Sequence, residues 1–157
     1  MIRGLVLAGG EGTRLRPLSL SLPKHLAPLL GKAVIEFPIN HLIDSGIRDI
    51  GIVVGYMGHL ICGYLGDGSK YGARFTYIEQ FERLGIAHAI HLSIEHGFDN
   101  SYLVVYLGDN ILAEGIKKYV KKFIEREPDV FILLSRVKDP RRFGVAVVKD
   151  GKIIKLI

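Results

Sequence analysis

The sequence is poor in the residues that stabilise small secreted or metal-bound domains. Its 157 residues include one cysteine, Cys62, two methionines and no tryptophan. One cysteine can form neither an intramolecular disulfide nor a multi-cysteine zinc ribbon, so both classes are excluded. Glutamine and asparagine are also scarce, with one and three copies. Because depletion of thermolabile residues is typical of thermophilic proteins, we expect a thermophilic source.

Long apolar runs are missing as well. A run over residues 4–8 is interrupted at once by Gly9, Gly10, Glu11 and Gly12, unlike the apolar core of a signal peptide. No stretch approaches the roughly 20 apolar residues of a membrane span. With 48% hydrophobic residues, the chain is too apolar for a disordered protein. We therefore expect one cytoplasmic domain, residues 1–157, with no membrane partner.

The formal charge of +5 comes from 21 Lys and Arg against 16 Asp and Glu. Such a balance suits nucleic acid, anionic lipid or phosphorylated ligands. The densest basic cluster lies on a predicted helix among glutamates and with few aromatic residues: Lys117, Lys118, Lys121 and Lys122. We interpret it as a solvated helix face and expect no nucleic-acid partner.

Short apolar runs alternate with helical patterns along the chain. The predicted strands cover residues 4–8, 49–54, 74–78, 102–107 and 130–135, and the predicted helices 34–44, 58–65, 86–96 and 114–126. The strands are near-continuous hydrophobic runs, as in strands buried on both faces. The alternation predicts an α/β fold: an open, doubly wound, mostly parallel, Rossmann-like sheet with helices on both faces. Ligands of such sheets bind beyond the carboxyl ends of the strands.

The C-terminal residues 145–157 follow a different pattern. Two apolar runs flank Asp150-Gly151, which predicts a β-hairpin with a tight Asp-Gly turn. Since the second run continues to the last residue without a polar tail, we expect the chain to be part of something longer.

A glycine-rich segment follows the first predicted strand directly. Gly9, Gly10 and Gly12 allow the backbone to approach a ligand and to point its N–H groups at an anion. No Gly-Lys-Ser/Thr of a Walker A loop follows, and Leu15 occupies the third glycine position of the dinucleotide fingerprint. The alternative is a strand-to-helix turn in which the glycines only relieve crowding.

Three polar residues make the phosphate-binding interpretation the stronger one. Thr13, Arg14 and Lys24 add a hydroxyl group, a forked cation and a compact cation within a dozen residues. This set is sufficient to hold a polyphosphate.

The pattern Gly9-Gly10-x-Gly12-Thr13-Arg14-Leu15-x-Pro17-Leu18, followed by Pro23-Lys24-x-x-x-Pro28, resembles the motif of sugar-1-phosphate nucleotidylyltransferases. Among these, the glucose-1-phosphate thymidylyltransferases are the most similar. The resemblance continues in order through residues 46–50, 65–68, 77–80, 84–89 and 107–110, and so covers essentially the whole chain.

The resemblance implies an enzyme that joins a nucleoside triphosphate to a sugar 1-phosphate and releases pyrophosphate. It implies that the nucleotide is bound by the end of the first strand and the glycine-rich segment, namely Leu7, Ala8, Gly9, Gly10, Gly12 and Thr13. Arg14 and Lys24 are the implied catalytic residues. Arg14 would steady the pyrophosphate leaving group, and Lys24 would contact the α-phosphate. Lys24 could otherwise be an exposed loop lysine.

The resemblance further implies that Gln80 and Gly85 bind the base and that Asp109 binds Mg²⁺. An amide both donates and accepts hydrogen bonds, so Gln80 suits the imide edge of dTTP or UTP. One carboxylate suffices for Mg²⁺, which retains waters and takes phosphate oxygens. The alternatives are a surface glutamine and an aspartate that caps a helix.

Two other features offer weaker alternatives. His88, His91 and Glu95 lie on one predicted helical face, where they could ligate zinc. We favour instead a packing role for His88 near the nucleotide. Cys62 is interpreted as a buried or an indifferent thiol.

The chain departs from the family pattern at its C-terminal end. In full-length relatives, a strand like 151–157 runs into Glu-Lys-Pro, which holds the sugar and its phosphate, and a second metal-binding aspartate follows much later. Here Gly144 is the only sugar-side residue that can be assigned. We therefore expect impaired catalysis, or alternatively a non-catalytic nucleotide-binding regulatory or scaffold subunit. An open sheet edge also predicts a homo-oligomer.

Overall fold

The computed structural model describes residues 1–82 and 84–157. They divide into two compact units, Met1–Lys121 and Lys122–Ile157, each of which is described by itself. The single domain expected from the length stays a prediction. The first unit contains β1 (Ile2–Ala8), β2 (Pro28–Leu29), β3 (Lys32–Ala33), α1 (Glu36–Asp44), β4 (Asp49–Val54), α2 (Gly58–Leu65), β5 (Arg74–Glu79), α3 (Ile86–Ser93), β6 (Tyr102–Leu107) and the start of α4 (Lys117–Arg126).

The centre of the first unit is a four-stranded sheet in the order β5-β4-β1-β6. All three strand pairs are parallel. Side chains in β1 and β4 are buried on both faces of the sheet, as their unbroken apolar runs predict. The first four predicted strands and the Rossmann-like parallel sheet are thereby confirmed.

Helices cover both faces of this sheet. On one face, α1 and α2 bury Ile39, Leu42, Ile61 and Leu65 in the larger apolar core. On the other face, α3 and the turn after it bury Ala89 and Phe98. The sheet contributes Leu5, Val53 and Ile78 to this second core. The doubly wound arrangement follows from these two apolar layers.

Three predicted helices are shorter in the structure. Helix α1 begins at Glu36 rather than at residue 34. Helix α4 begins at Lys117 rather than at residue 114, because Gly115 has a φ of +66° and cannot continue a helix. Helix α3 ends at Ser93 and is followed by a π-type turn, Ile94–Phe98, in which Gly97 has a φ of +83°. Among the described residues, none of the helices combines the length and the apolarity needed to cross a bilayer.

The second unit contains the end of α4 and an antiparallel hairpin of β7 (Ala146–Lys149) and β8 (Lys152–Leu156). Its turn residues Asp150 and Gly151 both have positive φ, which confirms the predicted Asp-Gly hairpin. The predicted strand at residues 130–135 is wrong. This segment pairs with no strand among the described residues, and its large apolar side chains are exposed. An apolar run becomes a strand only where a neighbour satisfies its backbone hydrogen bonds.

Candidate functional site

The carboxyl ends of the four parallel strands meet at one edge of the sheet. Ala8 lies opposite Val54, Val54 opposite Glu79, and Leu7 opposite Leu107. The residues that follow these strands are therefore neighbours: Gly9, Gly55, Gln80 and Gly108. A Cβ added to Gly55 would lie 2.8 Å from the carbonyl oxygen of Gly9, so the loops after β1 and β4 are in direct contact.

The glycine-rich segment after β1 turns sharply at Gly12. Gly12 has a φ of +66°, and the short 3₁₀ turn Thr13–Leu15 follows it. The buried hydroxyl of Ser19 donates a hydrogen bond of 2.8 Å to the carbonyl oxygen of Gly12. The turn is thus held by a side chain beyond the motif itself.

Lys24 extends along this segment, past Gly12 and Gly10. A Cβ at Gly10 would lie 3.3 Å from the ammonium nitrogen of Lys24, and a Cβ at Gly12 would lie 2.9 Å from the lysine Cβ. Gly12 therefore leaves no space for a side chain beside the stem of Lys24, whereas at Gly10 only the flexible end of the lysine would have to move. At Gly12 the positive φ adds a second reason for glycine.

Lys24 and Asp109 form an ion pair at the sheet edge, with 2.5 Å between Nζ and Oδ2. Burial would raise the pKa of the Asp109 carboxyl. The hydrogen bond and charge of Lys24 outweigh that effect and hold the pKa below its ordinary value. Asp109 caps no helix, since the next helix described after it begins at Lys117. Lys24 is therefore paired with a carboxylate, and no described helix begins directly after Asp109. The roles of both residues in binding and catalysis stay predictions.

His25 adjoins the ion pair from the interior. Its side chain is 1% exposed, and its Nδ1 has no hydrogen-bond partner in the described part of the chain. Burial, followed by the charge of Lys24, lowers the pKa of His25 to about 4, and Asp109 opposes this only in part. The imidazole is therefore neutral at physiological pH.

Gln80 projects its amide between the loops after β1 and β5. Its Oε1 lies 3.2 Å from the position that a Cβ of Gly9 would take. Its Nε2 donates to the carbonyl oxygen of Gly85 at 3.1 Å and lies 3.2 Å from Nδ1 of His88. Gly85, with a φ of +92°, precedes the first residue of α3. Gln80 is thus held in place rather than free on the surface.

The other predicted site residues are placed as follows. Leu7 and Ala8 end β1, and the side chains of Thr13 and Arg14 are exposed in the turn that follows. Arg14 makes no hydrogen bond or ion pair with another described side chain. Gly144 is exposed in the second unit, just before β7. Among the three residues considered for zinc, His88 contacts Gln80 and Glu82, whereas His91 lies 3.6 Å from Glu95.

The sequence model of the nucleotidyl transferase family matches residues 3–157, nearly the whole chain. The chain belongs to this family. The resemblance inferred from the glycine-rich motif is thereby confirmed.

Individual nucleotidyl transferases are similar over almost the entire chain. The low-salt glycan biosynthesis nucleotidyltransferase Agl11 of Haloferax volcanii is 41% identical over 99% of this chain and 44% of its own length. The glucose-1-phosphate thymidylyltransferase of Streptomyces griseus is 38% identical, with the same coverage. The UTP–glucose-1-phosphate uridylyltransferase AglF of H. volcanii is 35% identical over 99% of this chain and 64% of its own.

A crystal structure of a Bacillus anthracis protein assigned as a glucose-1-phosphate thymidylyltransferase, in complex with sucrose, has a TM-score of 0.91 and 39% identity. The match covers 99% of this chain and 63% of that one. The chain thus shares the nucleotidyl transferase fold. It spans about 44% of the length of the first two curated relatives.

Several residues at the edge of this nucleotidyl transferase sheet were not singled out from the sequence. Ser19 and His25 are two of the three buried polar residues described, and both lie beside the glycine-rich segment. A serine and a histidine in a loop without apolar periodicity give no sign of burial. Gly55 and Gly108 could have been found, because each directly follows an apolar strand.

A cleft of about 280 Å³ adjoins Gln80 on the side of β4 and α2. It is lined by backbone and side chains that follow β4 and β5, including Tyr56, His59 and Phe81. The ring of Phe81 is 86% exposed. The sheet edge therefore offers open space next to the only glutamine of the chain.

Proposed function

We propose that this chain binds a pyrimidine nucleoside triphosphate and transfers its nucleotidyl group to a sugar 1-phosphate, releasing pyrophosphate. The observation that carries the proposal is the meeting of three groups at one sheet edge. These are the glycine-rich segment, the Lys24–Asp109 pair and the amide of Gln80. They supply a phosphate-binding backbone, a cation beside a carboxylate, and a base-reading group.

Nucleotide binding in this proposal begins with the backbone of Gly9, Gly10 and Gly12. Because these residues lack side chains, phosphates can approach their N–H groups closely. The exposed guanidinium of Arg14 is free to bind the β- and γ-phosphates in a bidentate manner. Lys24 would contact the α-phosphate as a compact positive charge.

Asp109 fits the role of a Mg²⁺ ligand that acts together with the nucleotide. Its carboxylate is a hard oxygen donor, is 39% exposed and has a pKa below its ordinary value, so it is ionised. Among the described residues, no three His, Cys, Asp or Glu side chains cluster as a complete metal site. One carboxylate is enough when phosphate oxygens and waters complete the shell. When bound, Mg²⁺ supplies neutralisation of phosphate charge.

The proposed reaction is an in-line displacement at the α-phosphorus. A phosphate oxygen of the sugar 1-phosphate forms a bond to the α-phosphorus while the bond to the bridging oxygen of pyrophosphate breaks. The electron pair of that bond leaves with pyrophosphate, beside Arg14. The chain contributes positioning and positive charge, and no covalent intermediate with a protein side chain is needed.

Preference for thymine or uracil is proposed to come from Gln80. Its amide can donate to a base carbonyl and accept from the imide N–H. Two of the relatives named above are a thymidylyltransferase and a uridylyltransferase, which supports dTTP or UTP as the substrate. The backbone of Gly85, which accepts a hydrogen bond from Gln80, would lie beside the base and hold the amide in place.

A second candidate function follows from the length of the relatives. The chain spans about 44% of the length of the first two relatives, so the activity of a whole relative is carried to it only as a proposal. Gly144 is its one assigned sugar-side residue. A non-catalytic nucleotide-binding regulatory or scaffold subunit would use the same edge without turnover. A homo-oligomeric state, a cytoplasmic location, a thermophilic source and the absence of nucleic-acid and membrane partners stay predictions.

The experiment is a measurement of pyrophosphate release from dTTP, Mg²⁺ and glucose 1-phosphate, with UTP, ATP and GTP in parallel. A reaction without sugar controls for hydrolysis, and nucleotide binding is measured by calorimetry on the same preparation. Sugar-dependent release supports the transferase. Binding without release supports the second candidate. A folded chain that binds no nucleotide contradicts both.

A further inference from the structure

His25 occupies a fixed place beneath the two charged residues of the site. It lies in the short turn Lys24–Leu26, and its side chain is almost completely buried. Its carbonyl oxygen accepts a hydrogen bond of 2.8 Å from the backbone N–H of Ile35, just before α1. Since the backbone is held there, the position of the ring is set by the atoms packed around it.

The edge of the His25 ring packs against the turn that presents Asp109. A Cβ at Gly108 would lie 3.0 Å from Cδ2 of His25 and 2.8 Å from the carbonyl oxygen of Leu7. The backbone of Gly108 is therefore enclosed between the imidazole and the end of β1. Because Asp109 follows Gly108 and Lys24 precedes His25, this one ring touches the segments that carry both members of the ion pair.

The properties of the His25 ring indicate that it acts through the space that it fills. Its Nδ1 has no hydrogen-bond partner among the described residues. A buried polar atom without a partner costs stability, so its retention calls for a local explanation. The contact with Gly108 places the His25 ring against the residue that precedes Asp109.

We propose that His25 is a positioning residue that sets the separation between the Lys24 segment and the Gly108–Asp109 turn, and so presents both charges to a magnesium–nucleotide complex. The inference rests on the proposed function, because it assumes that Asp109 meets the metal and Lys24 the phosphate. Removing a residue that orients a metal ligand typically lowers metal affinity by about 10–100-fold.

The test compares dTTP affinity with Mg²⁺ and with EDTA, by calorimetry on the full chain. The dissociation constant in EDTA divided by that in Mg²⁺ measures how much the metal strengthens dTTP binding. A loss of stability alone does not change this ratio. For His25→Ala we expect this ratio to fall by on the order of 10-fold or more. The affinity in EDTA falls by a smaller factor, because Lys24 is displaced from the phosphate. For His25→Phe, which keeps a planar ring, we expect a ratio close to that of the wild type.

Ile61→Val, in the buried face of α2, is the control for core damage, and we expect it to keep the wild-type ratio. If His25→Ala does not fold, His25→Asn replaces it, because asparagine is too short to fill the space of the ring. A folded His25→Ala or His25→Asn variant with the wild-type ratio overturns the inference while leaving the proposed function intact. If His25→Phe lowers the ratio of dissociation constants as much as His25→Ala does, the inference is also overturned. A wild-type chain that binds no dTTP defeats the proposed function and this inference together.

Discussion

The ammonium group of Lys24 and the carboxylate of Asp109 are 2.5 Å apart, although 85 positions separate them in the chain. The pair joins the loop region after β1 to the turn after β6, two neighbouring strands of the sheet. Neither residue lies inside a strand or an α-helix. The geometry of the site therefore depends on the strand ends and on the side chains that support the loops.

Asp109→Asn is expected to abolish the effect of Mg²⁺ on dTTP affinity without unfolding the chain. The amide has the size of the carboxylate but lacks the charge that attracts both Mg²⁺ and Lys24. The measurement is the ratio of dissociation constants in Mg²⁺ and EDTA, together with a thermal melt. Asp44→Asn, an exposed carboxylate at the end of α1, is the control and should behave as the wild type. Unchanged Mg²⁺ dependence in Asp109→Asn would remove Asp109 from the proposed site.

Gly108→Ala and Gly63→Ala are expected to have opposite effects. A methyl group at Gly108 would lie 2.8 Å from the carbonyl oxygen of Leu7, so backbone must shift, and we expect weaker dTTP binding and a lower melting temperature. Nothing lies within 4 Å of a Cβ at Gly63, which is exposed inside α2. There alanine should stabilise the chain by about 0.5–1 kcal/mol and leave binding unchanged. Equal effects at the two positions would contradict the close contact described at Gly108.

The regular elements could be predicted because apolar periodicity and flanking glycines mark them locally. The bounds of β4, α2 and β6 coincide with those predicted. The predicted start of α4 differs from the observed one, because the left-handed backbone conformation of Gly115 depends on its surroundings. The segment 130–135 shows the same limit, because an apolar run cannot reveal whether a neighbouring strand will be available.

The candidate site was predictable to the extent that it follows the strand ends. Gly9, Gln80 and Asp109 each come shortly after an apolar strand, so a parallel sheet brings them together. The support from Ser19 and His25 was not predictable. Both are polar residues in irregular segments, and only tertiary packing determines whether such residues are buried.

Ser19→Ala is expected to loosen the glycine-rich segment. The mutation removes the hydrogen bond to the carbonyl oxygen of Gly12, and we expect a loss of about 0.5–1.5 kcal/mol in stability together with weaker dTTP binding. Ser93→Ala is a matched control, because Ser93 is equally buried and its hydroxyl donates to the carbonyl oxygen of Ile90 within α3. It should lose similar stability by chemical denaturation but keep the wild-type affinity. Parallel losses of affinity in both variants would argue against a specific role for Ser19.

Acid should weaken the fold partly through Glu36, at the start of α1. Burial would raise the pKa of Glu36, but hydrogen bonds from Ala33, Tyr64 and Tyr71 and the charge of Lys70 hold it below the ordinary 4.5. A carboxyl group with a lowered folded-state pKa stabilises the fold above its unfolded pKa, and this contribution is lost as pH falls below that value. Melting temperatures recorded from pH 7 to pH 3 should therefore decline less steeply in Glu36→Gln. Tyr71→Phe, which removes one donor, should have an intermediate profile, and a Glu36→Gln profile parallel to the wild type would refute the assignment.

Gln80→Leu is expected to reduce base selectivity while leaving triphosphate binding largely intact. Leucine fills a similar volume but can neither donate to nor accept from a pyrimidine edge. The loss of one or two neutral hydrogen bonds corresponds to about 0.5–1.5 kcal/mol each, so we expect the ratio of dissociation constants for ATP and dTTP to fall several-fold. Competition binding with dTTP, UTP, ATP and GTP measures this ratio directly. Asn100→Ala, which removes an exposed amide hydrogen-bonded to Asp99, is the control. If Gln80→Leu keeps the selectivity of the wild type, another part of the chain must recognise the base. The residues that line the cleft beside Phe81 would then be the next to mutate.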